Sequence, residues 1–345
     1  MKKKNMKVYA SILCICLVLG VLIFVLNMLE KKSDEKDRKK IEATMENTTD
    51  NSSKSGTTNY LEFKDDLYKY TDDCEAYLIM GTDGSGNEKA EDAEYRGTMA
   101  DFLLVVIMNK TTNKYGFIQI NRDTICDVTE IDSSGEGEGM EELQICTAHW
   151  YGKDREQSCE NTVTSVSYLL GEMDIDGYYE IGMDDIGKIN HLVGGVKVKI
   201  DDDLTGADSA FKKGAEITLN DEQAEKYVRA RMDVGDENNL KRMERQRTYM
   251  SSYFEKAKEI GKENPAFIND SYKELRECAT TDINGNKVSV IANTISKMEY
   301  IGVFTFDGES KKGKRLDDGK EHAEFIVDGN SIVNVLGNLL NIEKD

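Results

Sequence analysis

The chain has 345 residues, and its 45 Lys and Arg against 65 Asp and Glu give a formal net charge of −20. This length allows one large or two ordinary domains with a substantial buried core. The acidity argues against nucleic acid as a partner, because a phosphate backbone requires a broad basic surface. A small, local basic site remains compatible with this composition.

The N-terminus predicts a membrane anchor. Residues 1–7 are basic, and Val8 to Leu29 is a run of 22 residues without a charge. At about 1.5 Å of rise per residue, the run spans roughly 33 Å, enough to cross a bilayer. The preceding lysines place residues 1–7 in the cytoplasm, so the rest of the chain is predicted to lie outside the cell membrane as a single-pass protein. A cleaved signal peptide is the alternative, but the run is long and no small-residue cleavage site follows.

Two further regions follow the predicted anchor. Residues 30–60, charged and then rich in Asn, Ser and Thr, predict a flexible linker. Residues 61–345 are expected to form one extracytoplasmic α/β domain, with a central mixed β-sheet covered by helices on both faces. Periodicity predicts strands at 76–80, 101–108, 115–120, 196–200, 300–306 and 324–327, and helices at 161–170, 184–193, 240–261, 288–298 and 331–340. A further helix begins after Asn220, and the Gly-rich, acidic stretch 133–142 is interpreted as a loop.

The cysteines show no metal-binding spacing. Two of the seven fall in the apolar run, and the other five are predicted to be extracytoplasmic. Cys146 could form a disulfide with Cys126 or Cys159, but a buried, reduced core residue is an equally good interpretation.

Arginine is concentrated in one stretch of the chain. The sequence has 34 Lys and 11 Arg, yet five of the arginines lie between Tyr227 and Met250: Arg229, Arg231, Arg242, Arg245 and Arg247. Arginine favours binding of carboxylate or phosphate, because its planar fork matches both groups bidentately. The alternative is a solvated helix face on which the arginines pair with glutamates.

The spacing of these arginines predicts how they are arranged. On the helix predicted at 240–261, one face carries Arg242, Arg245, Gln246 and Tyr249, beside an apolar stripe of Met243, Met250, Phe254 and Ala257. This arrangement places the first two arginines at the edge of a cleft and leaves Arg247 as an ordinary surface group or as a group that supports the site without touching the ligand. Arg229 and Arg231 would be about 200° apart on a helix. If both arginines belong to one site, the helix that contains Arg229 must end near this residue, and we predict that it does.

Several motifs follow one another in a fixed order. "YLIMGTD" ends at Asp83, "RGTMADFLLVVIMN" contains Asp101, and "FIQINRDT" contains Arg122 and Asp123. "QICTAHWYG", "LNDEQAEKYVRAR" and "RMERQR" come next. In this order, behind an N-terminal apolar segment, the chain resembles the LytR-CpsA-Psr family from about Tyr77 to Tyr253. A weaker similarity continues in "EHAEFIVDGNSIVNVLGNLL".

The resemblance implies an extracytoplasmic transferase that moves a glycopolymer from a polyprenyl-pyrophosphate carrier onto peptidoglycan. It assigns Asp83 and Asp101 to a Mg²⁺ or Mn²⁺ ion that bridges the pyrophosphate, which fits the carboxylate and phosphate oxygens that Mg²⁺ prefers. The remaining assignments are phosphate contacts and catalysis by Arg122, Arg229, Arg231, Arg242 and Asp123, with substrate binding by Arg96, Gln144, Arg245, Gln246 and Asn239.

The sequence departs from the family pattern at several of these positions. The Arg-Ser-Asp of the family is Met99-Ala100-Asp101 here, with Arg96 upstream, and the Pro of its "IPRD" is Asn121. Gln144 replaces a basic residue, Cys146 an asparagine and Asn239 an acidic residue. These differences leave two alternatives open: a non-catalytic ectodomain that binds cell wall or lipid carrier, and a prenyl-pyrophosphate phosphatase.

Other enzyme classes find little support. The chain contains no HExxH, Walker A or GxSxG motif. We expect the prenyl tail of the carrier to enter a slot between apolar helix and sheet surfaces, including the face at "MSSYF" (250–254) and the helix at 161–170.

Overall fold

The computed structural model describes residues 58–63, 66–83, 95, 97–230, 239–264, 267–295, 297–316 and 318–345. The predicted anchor at 8–29 and the linker up to residue 57 lie outside these ranges, as do Arg96 and Arg231. Within the ranges given, no helix combines the length and the apolar composition needed to cross a bilayer.

The strands of the described ranges are, in chain order, β1 (Asn59–Phe63), β2 (Asp66–Tyr70), β3 (Cys74–Thr82), β4 (Ala100–Asn109), β5 (Lys114–Ile120), β6 (Ile125–Ile131), β7 (Gly137–Gln144), β8 (Tyr178–Gly182), β9 (Lys197–Lys199), β10 (Glu216–Thr218), β11 (Ala279–Thr281), β12 (Glu299–Phe304), β13 (Gly308–Gly313), β14 (His322–Val327) and β15 (Glu343–Lys344). The helices are α1 (Arg155–Leu169), α2 (Ile186–Leu192), α3 (Asp221–Arg229), α4 (Asn239–Glu263), α5 (Phe267–Arg276), α6 (Gly285–Ile295) and α7 (Gly329–Leu339). Two 3₁₀ helices, Ile145–Trp150 and Met183–Asp185, precede α1 and α2.

The central sheet is mixed. In the described part of the chain it has six strands in the order β11-β8-β3-β4-β5-β12. The consecutive strands β3, β4 and β5 are antiparallel, whereas β8 runs parallel to β3 and β12 parallel to β5. Strands β3 and β4 are almost entirely buried, as their long apolar runs predict for strands covered on both faces.

Each face of the sheet has its own hydrophobic core. On the first face, Tyr77 and Phe102 pack with residues of α2 to α6. On the second face, Leu78 and Leu103 pack with residues of α1 and α7. The predicted mixed sheet with helices on both faces is therefore confirmed. The helix predicted at 161–170 lies on the second face.

Several predicted boundaries are corrected. Helix α1 begins at Arg155, six positions before 161, because the Asp154 carboxylate accepts a hydrogen bond from the Gln157 backbone and starts the helix earlier. The loop predicted at 133–142 is wrong, since most of it belongs to β7, which pairs with β6 in an exposed hairpin. Asn59 and Tyr60, the last residues of the predicted linker, lie in β1.

The small sheets lie around the centre. Strands β1, β2 and β15 form one of them, so both ends of the described chain meet there. The hairpin β13–β14 reaches the β5–β6 connection, where Thr124 forms a β-bridge with Phe325. None of the five described cysteines forms a disulfide.

Candidate active site

Several sequence motifs meet at one edge of the central sheet. Strands β3, β5 and β8 point in one direction and β4 in the other. Asp83 just after β3, Arg122 just after β5, Asp184 just after β8 and Asp101 near the start of β4 therefore lie along the same edge. In open α/β sheets, ligands bind outside the carboxyl ends of the strands.

A β-bulge sets the direction of Asp101. Gly81 pairs with Phe102, but the next residue, Thr82, pairs with Ala100, so Asp101 is the extra residue. Strict alternation would put Ala100 and Phe102 on one face of the sheet, yet they pack in opposite cores. The bulge thus redirects Asp101, which contacts Arg242 of α4 on the first face.

Asp101 is held by two buried guanidinium groups. One carboxylate oxygen accepts a hydrogen bond from Arg122 Nη1, and the other lies 3.3 Å from Arg242 Nη1. Only 7% of Arg122 and 3% of Arg242 are exposed. Asp123 adds a second carboxylate, with Oδ1 3.3 Å from Arg122 Nε. Two arginines are therefore brought together where their charges are poorly screened, which favours binding of an anion.

Two residues that depart from the family pattern lie beside this group. Arg122 Nη2 is 2.7 Å from the Met99 sulfur. Cys146 is buried, and its backbone nitrogen donates to the Arg122 carbonyl over 3.2 Å. Burial raises the pKa of the Cys146 thiol, with nearby Arg122 opposing the shift. The thiol is therefore neutral at physiological pH.

A second, half-exposed group is centred on Arg229. Its guanidinium contacts Asp83, and Nη1 lies 3.1 Å from Asp184 and 3.3 Å from Glu225. The backbone of Asp83 donates to the Met99 carbonyl over 3.0 Å, two residues before Asp101. The two acid–arginine groups are therefore joined by a backbone hydrogen bond between the residue after β3 and the segment just before β4.

The end of α3 positions Arg229. Asn220 and Gln223 form a complete capping box at its start, as predicted. The helix ends at Arg229, because Ala230 has extended backbone angles of φ −45° and ψ 123°. The predicted helix end is confirmed, while Arg231 lies outside the described residues.

Helix α4 supplies further polar groups. Arg245 donates to the Ala230 carbonyl, and Asn239 Nδ2 donates to Asn121 Oδ1 over 2.6 Å. The Gln246 Nε2 atom is buried and has no hydrogen-bond partner in the described ranges. Of the two roles predicted for Arg247, an ordinary surface group or a group that supports the site from behind, the structure excludes the first: Arg247 is half-buried and donates to Gln119 of β5 over 2.5 Å.

An apolar cavity lies between the first face of the sheet and the helices, with about 990 Å³ of empty space when its solvent-open mouth is included. Its lining includes Tyr77, Ile79, Gly81, Phe102, Tyr179, Ile181, Met183, Ile186, Ile189, Val228, Gln246, Tyr249, Met250, Val288 and Ile291. A Cβ on Gly81 would lie 3.0 Å from the Phe102 Cβ and 3.1 Å from the Met183 sulfur, so glycine keeps this end of the cavity open. The expected contribution of the helix at 161–170 is wrong, because α1 covers the opposite face.

The cavity meets the acid–arginine groups. Gly81 lies two residues before Asp83, and Val228 and Met183 directly precede Arg229 and Asp184. Gln246 lies one helical turn beyond Arg242 on α4. An amphiphile with an anionic end would therefore place its charge beside the arginines and its apolar part in the cavity.

The side chains at the site provide some, but not all, of the ligands that the expected metal ion needs. In the part of the chain that the structure describes, no group of three or more His, Cys, Asp or Glu could hold a metal on its own. Asp83 and Asp101 provide two carboxylates at the ends of neighbouring strands. This partial set fits an ion such as Mg²⁺, which typically uses one or two carboxylates together with substrate phosphate oxygens.

The LytR-CpsA-Psr family model matches residues 23–339. The chain belongs to the LytR-CpsA-Psr family. The polyisoprenyl-teichoic acid–peptidoglycan teichoic acid transferases TagU of Bacillus anthracis and of Bacillus cereus strain AH820 are 30% and 29% identical to it over 154 residues. That stretch covers 45% of this chain and only 43% of the TagU chains.

Solved structures share the LytR-CpsA-Psr fold. Streptococcus agalactiae gbs0355 has a TM-score of 0.60 at 20% identity and covers 77% of this chain and 86% of its own. B. subtilis TagV has a TM-score of 0.54 at 21% identity and covers 77% and 95%. TagT bound to LI-WTA has a TM-score of 0.53 at 18% identity and covers 81% and 92%. At these identities the similarity concerns the fold.

Of the residues assigned from the LytR-CpsA-Psr pattern, those that the structure describes lie close together with one exception. Asp101, Arg122, Asp123 and Arg242 form the buried group, and Asp83 with Arg229 the half-exposed one. Arg245, Gln246 and Asn239 lie nearby on α4. The exception is Gln144, whose amide nitrogen donates to the Ala323 carbonyl of β14 over 3.2 Å. Arg96 and Arg231 are outside the described residues.

Several groups at the site were not predicted from the sequence. Glu225 lies four residues before Arg229 on one helix, a spacing that could have indicated the contact. Asp184 had no local signal, because β8 was not predicted and only its pairing with β3 brings Asp184 to this edge. The hairpin β13–β14 was also missed: the Phe325 backbone donates to the Asp123 carbonyl over 2.7 Å.

Proposed function

We propose that this chain transfers a glycopolymer, a polysaccharide or a teichoic-acid-like polymer, from a polyprenyl-pyrophosphate carrier onto peptidoglycan. One observation carries the proposal: a large apolar cavity meets a cluster of buried arginines and aspartates. A lipid diphosphate has an apolar chain that would fill the cavity and an anionic group that would bind the arginines. The chain spans less than half of the TagU relatives, so their activity enters here as part of the proposal.

The diphosphate would lie between Arg122, Arg242 and Arg229. In phosphoryl transfer, positioning and charge stabilisation dominate over covalent chemistry. Asp83 and Asp101 would hold Mg²⁺ or Mn²⁺ when it is bound, which would neutralise charge on the diphosphate oxygens. The phosphate oxygens would replace the Asp101 and Asp83 carboxylates as partners of the guanidinium groups.

The proposed reaction is one displacement at phosphorus. A peptidoglycan hydroxyl oxygen forms a bond to the glycan-linked phosphorus, and the bond from this phosphorus to the bridging oxygen breaks. Polyprenyl phosphate leaves with that oxygen. Asp123, 3.3 Å from Arg122, is the candidate base for the hydroxyl proton. Arg122 and Arg242 stabilise the charge that develops on the phosphoryl oxygens.

The proposed location follows from the carrier. A long prenyl chain reaches the cavity from a bilayer, so the site must lie close to the membrane surface. The apolar run at 8–29 would anchor the chain, with residues 1–7 in the cytoplasm and the α/β domain outside. The polar residues that follow would let the domain reach the headgroups.

A reconstituted transfer reaction tests the proposal. The full-length chain is given a prenyl-pyrophosphoryl saccharide, with and without Mg²⁺ and peptidoglycan, and both prenyl phosphate and peptidoglycan-bound saccharide are measured. We expect the two products in equal amounts when Mg²⁺ and acceptor are both present. Prenyl phosphate with free saccharide phosphate would instead indicate a phosphatase. Binding without any release would indicate a binding module.

A further inference from the structure

A buried carboxylate lies behind the candidate site, on the second face of the sheet. Glu180 of β8 is completely buried. One of its carboxylate oxygens accepts hydrogen bonds from the Thr82 hydroxyl and from Arg155 Nη2, the latter over 2.7 Å. Its other oxygen is buried and has no hydrogen-bond partner in the described ranges. A fully buried charge is costly, so a carboxylate retained here calls for an explanation.

The contact to Thr82 lies at the β-bulge. Thr82 is the last residue of β3, directly before Asp83, and it pairs with Ala100 across the irregularity that makes Asp101 the extra residue. Glu180 pairs with Met80 on the neighbouring strand, so its side chain reaches Thr82 diagonally. The hydrogen bond thus ties the bulged end of the β3–β4 pair to a third strand.

Arg155 completes this arrangement from a different element. It is the first residue of α1, and its side chain is 34% exposed. Its charge compensates that of Glu180 and connects the start of α1 to the sheet. The same helix contacts the segment before β4, because Tyr95 lies 3.1 Å from Ser158.

We propose that Thr82, Glu180 and Arg155 are positioning residues that hold the β-bulge and thereby fix the directions of Asp83 and Asp101. None of the three is within the acid–arginine groups. They act through the backbone at the end of β3 and the start of β4, on which both aspartates stand. The expected effect on binding of a metal ion and a diphosphate rests on the proposed function. The support of the β-bulge does not, because the bulge is a feature of the fold.

Conservative variants test the role of these contacts. Thr82→Val removes the hydroxyl at nearly constant shape, Thr82→Ser retains it, and Glu180→Gln removes the charge. Thr162→Val is the matched control, because Thr162 is also a buried threonine, bonded within α1 to the Ser158 carbonyl. Glu75→Gln is the second control, at the opposite end of β3, where Glu75 pairs with Lys110.

Two measurements are made on the full-length chain, with circular dichroism confirming that each variant is folded. The first is Mn²⁺ affinity by electron paramagnetic resonance. The second is amide exchange of peptides covering Thr82 and Ala100. We expect Thr82→Val and Glu180→Gln to weaken Mn²⁺ binding about tenfold or more, as loss of groups that orient ligands does. Amide hydrogen exchange at the bulge should be faster in both variants. Thr82→Ser and the two control variants should have the Mn²⁺ affinity and the exchange rates of the wild type.

The outcomes separate this inference from the proposed function. Folded Thr82→Val and Glu180→Gln variants with unchanged Mn²⁺ affinity would overturn the positioning role, even if exchange were faster. If the wild type binds no Mn²⁺, the metal part of the proposed function fails, and amide exchange alone tests the positioning role. Faster exchange in Thr82→Val and Glu180→Gln would then support the proposal that these residues stabilise the bulge. Unchanged exchange would overturn it.

Discussion

The guanidinium of Arg242 on α4 lies 3.3 Å from the carboxylate of Asp101 at the start of β4. The two residues are separated by 141 positions in the chain, and both are largely buried. The contact joins the helix layer to the edge of the sheet at the point where the apolar cavity begins.

Loss of Arg242 should impair turnover strongly. Removing one group that stabilises developing charge typically costs about 10²-fold or more in rate, and we expect this of Arg242→Ala. Arg242→Lys should remain impaired, because an ammonium lacks the planar fork. Turnover is measured as prenyl phosphate release. Lys241→Ala, at the exposed neighbouring position, is the control, and equal loss in both variants would contradict a specific role for Arg242.

Asp101→Asn should lower stability and make it dependent on anions. The substitution leaves Arg122 and Arg242 buried with one fewer negative charge, and breaking such a pair costs about 3 kcal/mol. Inorganic pyrophosphate should restore part of that stability by supplying the missing charge. Urea unfolding with and without pyrophosphate measures both effects. Asp127→Asn, on the exposed hairpin, should change neither, and no pyrophosphate effect on Asp101→Asn would count against an anion site.

Filling the cavity should separate lipid binding from diphosphate binding. Ile186 of α2 lines the cavity, and a tryptophan there would occupy space proposed for the prenyl tail. We expect Ile186→Trp to raise the KM for a long-chain carrier about tenfold, since a few buried methylene groups account for that much binding free energy. Affinity for inorganic pyrophosphate should stay the same. Val290→Trp, on the exposed side of α6, is the control.

His149 should make the fold sensitive to mild acid. Its ring is buried, with Nδ1 2.9 Å from the Thr98 carbonyl and Nε2 3.6 Å from the Cys159 sulfur. Burial holds the pKa of His149 below its usual 6.5, although nearby Glu180 opposes the shift. A lowered pKa in the folded state means that the unfolded chain takes up the proton first. This contribution to stability is therefore present above pH 6.5 and is lost as the pH falls below it.

Urea unfolding at several pH values measures this contribution. For one group, the free energy of unfolding changes by at most about 1.4 kcal/mol per pH unit. We expect His149→Gln to have a shallower loss of stability than the wild type below pH 6.5. Exposed carboxylates titrate in both proteins, so the difference between them isolates the histidine. Parallel curves would contradict the prediction.

The sequence predicted the elements that have strong local signals. Strands β3 to β5 were found to within two residues, because continuous apolar runs mark strands buried on both faces. The start of α3 was predicted from its capping box, and its end from the requirement that two arginines share a site. The position of α4 was predicted from a polar and an apolar stripe that lie side by side on one helix. Arg242 and Gln246 of the polar stripe and Met243 of the apolar stripe are all buried.

The remaining features depend on contacts between distant segments. The acidic, Gly-rich β7 has the composition of a loop and is a strand only through its pairing with β6. The bulge at Asp101 breaks the alternation on which strand predictions rest, so its direction could not be inferred. Asp184 and Phe325 reach the site, and Glu180 the region behind it, through strand order and a C-terminal hairpin, neither of which has a local sequence signal.

A crystal structure of the chain with a prenyl pyrophosphate is the most direct test of the central claim, that the arginine cluster and the apolar cavity form one site. We expect the diphosphate to contact Arg122, Arg229 and Arg242, next to Asp83 and Asp101. The prenyl chain should lie between Ile79, Ile186 and Met250. A diphosphate bound away from these arginines, or a tail outside the cavity, would contradict it.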